Sequence, residues 1–204
     1  MKKKLYANIK NVDVDLSRLS MAITTIDKFV EELANKTVEI KNTLMTYSGS
    51  NQSVQFTKAA EGVRQFSEKL KNMATDLNDF QHDIVQYKEK VMEWEQVYLA
   101  GTSPRMLNIT SISVPMNSTE KTKFDIDEMR TVSKAISQYA SYVMERLNHI
   151  KHNVNNIGSY WRDPQYAEVF RPFMEEVCTE VYKNTCNLDD YRIQLDAQIK
   201  KIGG

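Results

Sequence analysis

Four stretches of the chain place an apolar residue at every third or fourth position, and this spacing constrains the fold more than any other feature. Such spacing is typical of helices with one apolar stripe that pack side by side. The stripes run from Leu16 to Tyr47, from Phe56 to Tyr98, from Ile126 to Ile157 and from Tyr166 to Ile202. The sequence therefore predicts an all-α protein with four long helices.

Two residues within these stripes carry specific predictions. Trp94 falls in register with the second stripe, so we expect it to pack in the core or at the end of the stripe and not to form a second recognition element. Pro172 lies about two turns into the fourth helix, where the missing N–H and the ring predict a kink.

Clusters of turn residues separate the helices within each pair. The run from Ser48 to Ser53 ends the first helix, and the run from Gly158 to Gln165 ends the third. Gly158 is expected to end its helix in the left-handed conformation, Asp163 to cap the next helix, and Pro164 to take its first position.

The connection between the two helix pairs is long and contains β-branched residues and proline, which predicts an extended linker. Its length allows it to cross over, so that the second pair points the opposite way. We therefore predict two long helical hairpins packed as a four-helix bundle. Residues 1–100 form the first hairpin, 101–123 the extended crossover linker, and 124–204 the second hairpin.

The two halves of the chain also resemble each other, which indicates a tandem duplication of one hairpin. Asp13-Val14-Asp15 aligns with Asp125-Ile126-Asp127 at an offset of 112, and Leu77-Asn78-Asp79-Phe80 aligns with Leu188-Asp189-Asp190-Tyr191 at an offset of 111. One single-residue gap inside the second helix reconciles the two offsets. In this alignment the first hairpin has no Trp at its turn.

Composition excludes several classes of function. Lys plus Arg equals Asp plus Glu, at 27 each, which argues against a nucleic-acid-binding protein. No long apolar run follows Met1-Lys2-Lys3-Lys4, so we expect neither a Sec signal peptide nor a membrane span. Cys178 and Cys186 lie too far apart on one helix for a disulfide and are expected to be buried, inert thiols.

No catalytic, metal or cofactor site is indicated. The sequence contains neither a Gly-rich phosphate loop nor a Gly-x-Ser-x-Gly motif. Glu145, His149 and His152 share one helix face and could approach a metal, but a solvated helix face explains them more simply. We therefore predict a protein that is not an enzyme and that needs no cofactor.

Trp161 is unusual because turn residues are commonly small and polar. It either covers the end of a helix pair or also forms a recognition element. A position in a turn, away from the apolar stripes, predicts that Trp161→Ala costs less stability than Leu77→Ala.

A unit of about one hundred residues, with two long helices and a W-x-D turn between them, resembles the WXG-type proteins of type VII secretion, such as the early-secreted antigens of mycobacteria. The matching residues are Trp161, Asp163, Pro164 and Phe170, which would form the turn or recognition motif. Asp163 stands where the name-giving Gly would be, and the final helix has no Tyr-x-x-x-Asp/Glu export motif.

The resemblance implies small hairpins that pair into four-helix bundles and leave the cell without a Sec signal through a dedicated ATPase. The expected partners are proteins, either a secretion ATPase or another helical-hairpin protein, and the chain itself would be a monomer or a homodimer. It would be cytoplasmic, or secreted without a signal peptide. The alternative hypothesis is a cytoplasmic helical adaptor or coiled-coil scaffold that is not exported.

Overall fold

The structure is a computed structural model that describes residues 5, 9–101, 103–113 and 122–203. Its described residues form four long helices, which confirms the predicted all-α fold. These are α1 (Leu16–Ser48), α2 (Val54–Glu95), α3 (Ile126–Ile157) and α4 (Arg171–Ile202), with a π-helix at Tyr166–Phe170 directly before α4.

Aspartate caps begin both hairpins. The Asp15 carboxylate accepts the backbone N–H groups of Ser17 at 3.0 Å and Arg18 at 3.3 Å. The Asp125 carboxylate accepts those of Asp127 at 2.9 Å and Glu128 at 3.0 Å. These bonds satisfy N–H groups that a helix start would otherwise leave unpaired.

Gly158 ends α3, but the expectation of a left-handed conformation was wrong, because its φ is −60°. The glycine is needed for space instead. A Cβ at this position would lie 2.8 Å from Tyr166 Oη, and Tyr166 Oη donates to the Val154 carbonyl at 2.9 Å. The absence of a side chain at Gly158 therefore allows Tyr166 to pack onto the end of α3.

Contacts at the two ends of the bundle fix the helix directions. Near the start of α1, the Asp15 N–H donates to the Tyr160 carbonyl at 2.8 Å, just past the end of α3. Beyond the end of α1, the Asn51 side-chain carbonyl accepts the Asp125 N–H at 2.9 Å, at the start of α3. The two helices are therefore antiparallel, and each hairpin turn lies against the start of the other hairpin.

The second helix of each hairpin is paired in the same way. The Tyr87 hydroxyl, near the end of α2, donates to Asp163 just before the π-helix. Ser53, which caps α2, donates to the Gln198 side chain near the end of α4 at 3.3 Å. Because α3 also packs along α4, the helices form the predicted four-helix bundle around one continuous hydrophobic core.

The linker crosses over along the first hairpin, as predicted. Leu107 accepts the Asn78 side-chain amide at 2.9 Å, and farther along the chain the Ile112 N–H donates to Ser67 Oγ at 3.1 Å. The linker thus runs antiparallel to α2, towards the first turn. Ile109 and Ile112 are buried, so this segment contributes to the core. Residues 102 and 114–121 of the predicted linker lie outside the described residues.

The two hairpins share one pattern of buried positions, but the offset predicted for the first helices was wrong by two residues. The caps Asp15 and Asp125 are 110 positions apart. At this offset every buried residue of α3 except Ile157 falls on a buried residue of α1. The offset of 111 predicted for the second helices is confirmed, since it places every buried residue of α4 on a buried residue of α2.

The change from 110 to 111 marks one extra residue in the second hairpin. It coincides with the π-helix at Tyr166–Phe170, where the Arg171 N–H bonds to the Tyr166 carbonyl five residues back. A π-turn is the way a helix accommodates a single inserted residue. Pro172 follows directly, in the first turn of α4, so its missing N–H lies at this irregular point and not within a regular helix.

Candidate interaction site at the Trp161 turn

Two backbone hydrogen bonds hold the turn between α3 and α4 against the segment that precedes α1. Val14 and Trp161 form an isolated antiparallel β-bridge. On either side of it the Asp15 N–H donates to the Tyr160 carbonyl and the Arg162 N–H donates to the Asp13 carbonyl, both at 2.8 Å. The chain preceding the first hairpin therefore lies against the turn of the second.

Trp161 is completely buried beneath this segment, with 0% of its surface exposed. Its ring stacks on Tyr87 at a centroid distance of 5.3 Å and lies 5.2 Å from Phe170 and 6.0 Å from Tyr166. These distances are typical of favourable aromatic pairs. Trp161 covers the end of the helix pair, and in this conformation its side chain cannot touch a partner.

Asp163 provides the polar half of the same cluster and is 2% exposed. Its Oδ1 accepts the Trp161 indole N–H at 2.9 Å, the Gln165 N–H at 2.9 Å and the Tyr166 N–H at 3.3 Å. Its Oδ2 accepts the Tyr87 hydroxyl. Burial and the neighbouring Asp163 carboxylate raise the pKa of Tyr87 well above its ordinary value, so Tyr87 remains a donor. The buried carboxylate is thus supplied with donors on both oxygens.

Pro164 and Phe170 complete the four residues that the sequence singled out. Pro164 takes the first helical position after Asp163, where a proline loses no intrahelical hydrogen bond. Phe170 is buried in the π-helix, 5.9 Å from the ring of Phe80 on α2. Of the four predicted residues, Trp161, Asp163 and Phe170 lie together as part of the bundle core. We call these three residues, with Tyr87 and Tyr166, the Trp161 cluster.

The opposite end of the bundle repeats this architecture with polar residues. The Gln52 N–H donates to the Lys123 carbonyl at 2.6 Å, which is the counterpart of the bond from Arg162 to Asp13. Asn51, the counterpart of Trp161, is 2% exposed and donates to Glu128 at 2.7 Å. Ser53 takes the place of Asp163 and Gln198 that of Tyr87. Only the second turn combines its cap with an aromatic cluster.

The prediction that Trp94 packs in the core was wrong, because 51% of its surface is exposed. Val91 is the last buried residue of α2. One turn earlier, Tyr87 already contacts Trp161 and Asp163 of the turn between α3 and α4, so the apolar stripe of α2 continues beyond this end of the second hairpin. Four exposed apolar residues follow in this segment, and we call them the α2 tip: Trp94, Val97, Tyr98 and Leu99.

The helix face with Glu145, His149 and His152 does not form a metal site in this structure. His149 Nε2 lies 4.0 Å from Glu145 Oε1, and Glu145 also pairs with Arg146. Within the described part of the chain, no three His, Cys, Asp or Glu side chains come close enough together to hold a metal ion.

None of the helices described is apolar enough over sufficient length to span a membrane.

The two cysteines differ, although the sequence suggested that both are buried. Cys178 is buried, and burial raises its pKa to about 11, whereas Cys186 is exposed.

Because the thiolate is the reactive form, a thiol reagent at about pH 8 should label Cys186 rapidly and Cys178 only after unfolding. Mass spectrometry should show one adduct on the native protein and none on Cys186→Ser. Rapid double labelling would show that the α3–α4 contact opens.

Buried tyrosines predict a loss of stability in alkali. Burial raises the pKa of Tyr160 from its ordinary value of 10.0 to about 12, so the folded state holds this proton more tightly than the unfolded chain. The contribution of this protonated tyrosine to the free energy of unfolding is therefore fully present below pH 10 and is lost as pH rises from 10 to about 12. Denaturant titrations of wild type and Tyr160→Phe should show a smaller decline in the variant. Tyr98→Phe, at a 95% exposed position, is the control that should follow wild type.

A scan of protein-family models and searches among curated proteins and solved structures find no match to this chain.

Proposed function

We propose that the protein is not an enzyme and acts by binding protein partners, as a substrate or carrier of a type VII-like secretion system. The observation that carries partner binding is the α2 tip, where a Trp and a Tyr stand exposed beside two aliphatic residues. Trp and Tyr are the residues most enriched at the energetic centres of protein interfaces. Four large apolar side chains are exposed within six positions, whereas single exposed apolar residues scattered over a surface are ordinary.

The secretion role is supported by the second hairpin. Its W-x-D turn, with Asp163 as cap and Pro164 at the first helical position, has the form that the WXG-type resemblance implies. The bundle is also of the kind that such hairpins form in pairs. Here both hairpins belong to one chain and bury a common core, so we propose a monomer that contains its own pairing partner.

Because Trp161 is buried, a partner would contact other residues at this end of the bundle. A partner approaching this end of the bundle encounters the α2 tip, whereas the Trp161 cluster supports the turn from inside. We therefore assign binding to Trp94 and Tyr98, and to Trp161 a structural part in presenting that end.

The experiment compares the cell pellet with the culture supernatant of the native host for a tagged protein. We expect wild type in the supernatant and a variant with Trp94→Ala and Tyr98→Ala retained in the cell. The matched control carries Met21→Ala and Met45→Ala, two exposed apolar residues on α1 that should not affect export. Circular dichroism should show equal helicity in all three proteins.

The other outcomes separate this proposal from the alternative. Retention of wild type inside the cell would reject the secretion role and favour a helical adaptor that stays there. Export of the tip variant at the wild-type level would show that the secretion system does not recognise the α2 tip.

A further inference from the structure

The second hairpin carries an open groove between α3 and α4. It has a volume of about 410 Å³ and an apolar floor made by Val154, Met174 and Cys178. The rim is polar and includes Lys151 and Thr179. All of the residues that line this groove come from α3 and α4, so no other described segment of the chain helps to form it.

The internal duplication identifies the counterpart of this groove in the first hairpin. At the offset of 111, Cys178 corresponds to Ser67 and Met174 to Val63, and at the offset of 110 Val154 corresponds to Leu44. All of these positions are buried in both hairpins. The floor of the groove therefore corresponds to a set of buried positions in the first hairpin.

In the first hairpin an extended segment contacts one of these positions, Ser67. The Ile112 N–H donates to Ser67 Oγ at 3.1 Å, and Ser111 accepts from Lys71 at 3.2 Å. Ile109 and Ile112 are 0% and 2% exposed, so the extended segment buries aliphatic side chains against the hairpin. One copy of the duplicated surface thus already shows what kind of chain it accepts.

The rim of the second groove adds a charge preference. Arg171 is occupied by Glu175, with 2.8 Å between Nε and Oε1. Lys151 has no ion-pair partner among the residues that the structure describes. A ligand with a carboxylate next to its aliphatic side chain would pair with Lys151 while the aliphatic group covers the floor.

We propose that the α3–α4 groove binds an extended segment of a partner protein, which places a β-branched aliphatic side chain on the floor and a carboxylate near Lys151. The segment would lie in the second hairpin as residues 109–112 lie in the first. This site is separate from the α2 tip and does not depend on the secretion role.

The test uses the full-length protein and a fluorescein-labelled peptide with the sequence of residues 105–113 in which Ser113 is replaced by Asp. Fluorescence anisotropy should show saturable binding. A second peptide with Ile109 and Ile112 replaced by Ser should bind at least about tenfold more weakly, a difference of about 1.4 kcal/mol.

The protein variants locate the binding. Thr179→Trp fills the groove from its exposed rim and should weaken binding at least about tenfold, whereas Glu176→Trp places the same side chain at an exposed position outside the lining and should not. Circular dichroism verifies that both variants fold. Absence of saturable binding would overturn the proposal. So would equal binding to the two variants, which is also the result expected if the peptide merely displaces the linker from Ser67.

Discussion

Trp161→Ala should lower the free energy of unfolding by about 3–5 kcal/mol, at least as much as Leu77→Ala, which should cost about 2–5 kcal/mol. Trp161 is the largest of the fully buried side chains, and three aromatic rings surround it. Its removal would leave a cavity that these rings cannot fill without losing their contacts with one another. Chemical denaturation monitored by circular dichroism measures the difference.

The sequence alone predicts the opposite order, since Trp161 lies in a turn and Leu77 on an apolar stripe. Trp94→Ala is the matched control, because it removes the same side chain from an exposed position and should change stability by no more than about 0.5 kcal/mol. A loss at Trp161 clearly smaller than that at Leu77 would mean that the turn is open in solution and that the indole is available to a partner.

Asp163→Ala should be the second large effect, with a loss of about 3 kcal/mol or more. A helix cap alone contributes about 1 kcal/mol, and each buried donor left without an acceptor adds about 1–3 kcal/mol. Here the Trp161 indole N–H and the Tyr87 hydroxyl would both lose their acceptor inside the bundle. Denaturant titration gives the loss directly.

The counterpart cap provides the control for Asp163. Ser53 also begins a second helix and accepts the Phe56 N–H at 3.1 Å, but no aromatic donor depends on it. Ser53→Ala should therefore cost only about 1 kcal/mol. Equal losses at the two positions would show that Asp163 acts as a cap alone and that the bonds to Trp161 and Tyr87 add nothing.

The helices could be predicted because their signals are local. Apolar spacing and the aspartates at positions 15 and 125 determine where α1 and α3 begin, whatever packs against them. The crossover was predictable because chain length and extended character limit where a linker can run. The one-residue gap between the copies was predicted in the wrong direction, because the offset of the first helices is 110 and not 112. The extra residue of the second hairpin and its form as a π-helix were not predicted.

The candidate site was only partly predictable, because its environment comes from distant parts of the chain. Trp161, Asp163 and Phe170 are close in sequence, but the burial of Trp161 depends on Tyr87 and on the segment around Val14. Tyr87 lay on the second stripe, and nothing in its spacing marked it as a hydrogen-bond donor. Trp94 fits the same stripe, and its exposure follows from the position of the turn between α3 and α4, which contacts α2 at Tyr87 and which a single stripe does not reveal.

The central claim is that the two hairpins form one bundle with a shared core, and separating them tests it most directly. Residues 1–113 and 122–204 would be produced as separate chains, mixed, and measured by light scattering after size-exclusion chromatography. We expect each chain alone to associate or aggregate and the mixture to give a one-to-one complex, because the core is shared between the hairpins. Two stable monomers that do not bind each other would contradict a shared core, since each hairpin would then be an independent domain.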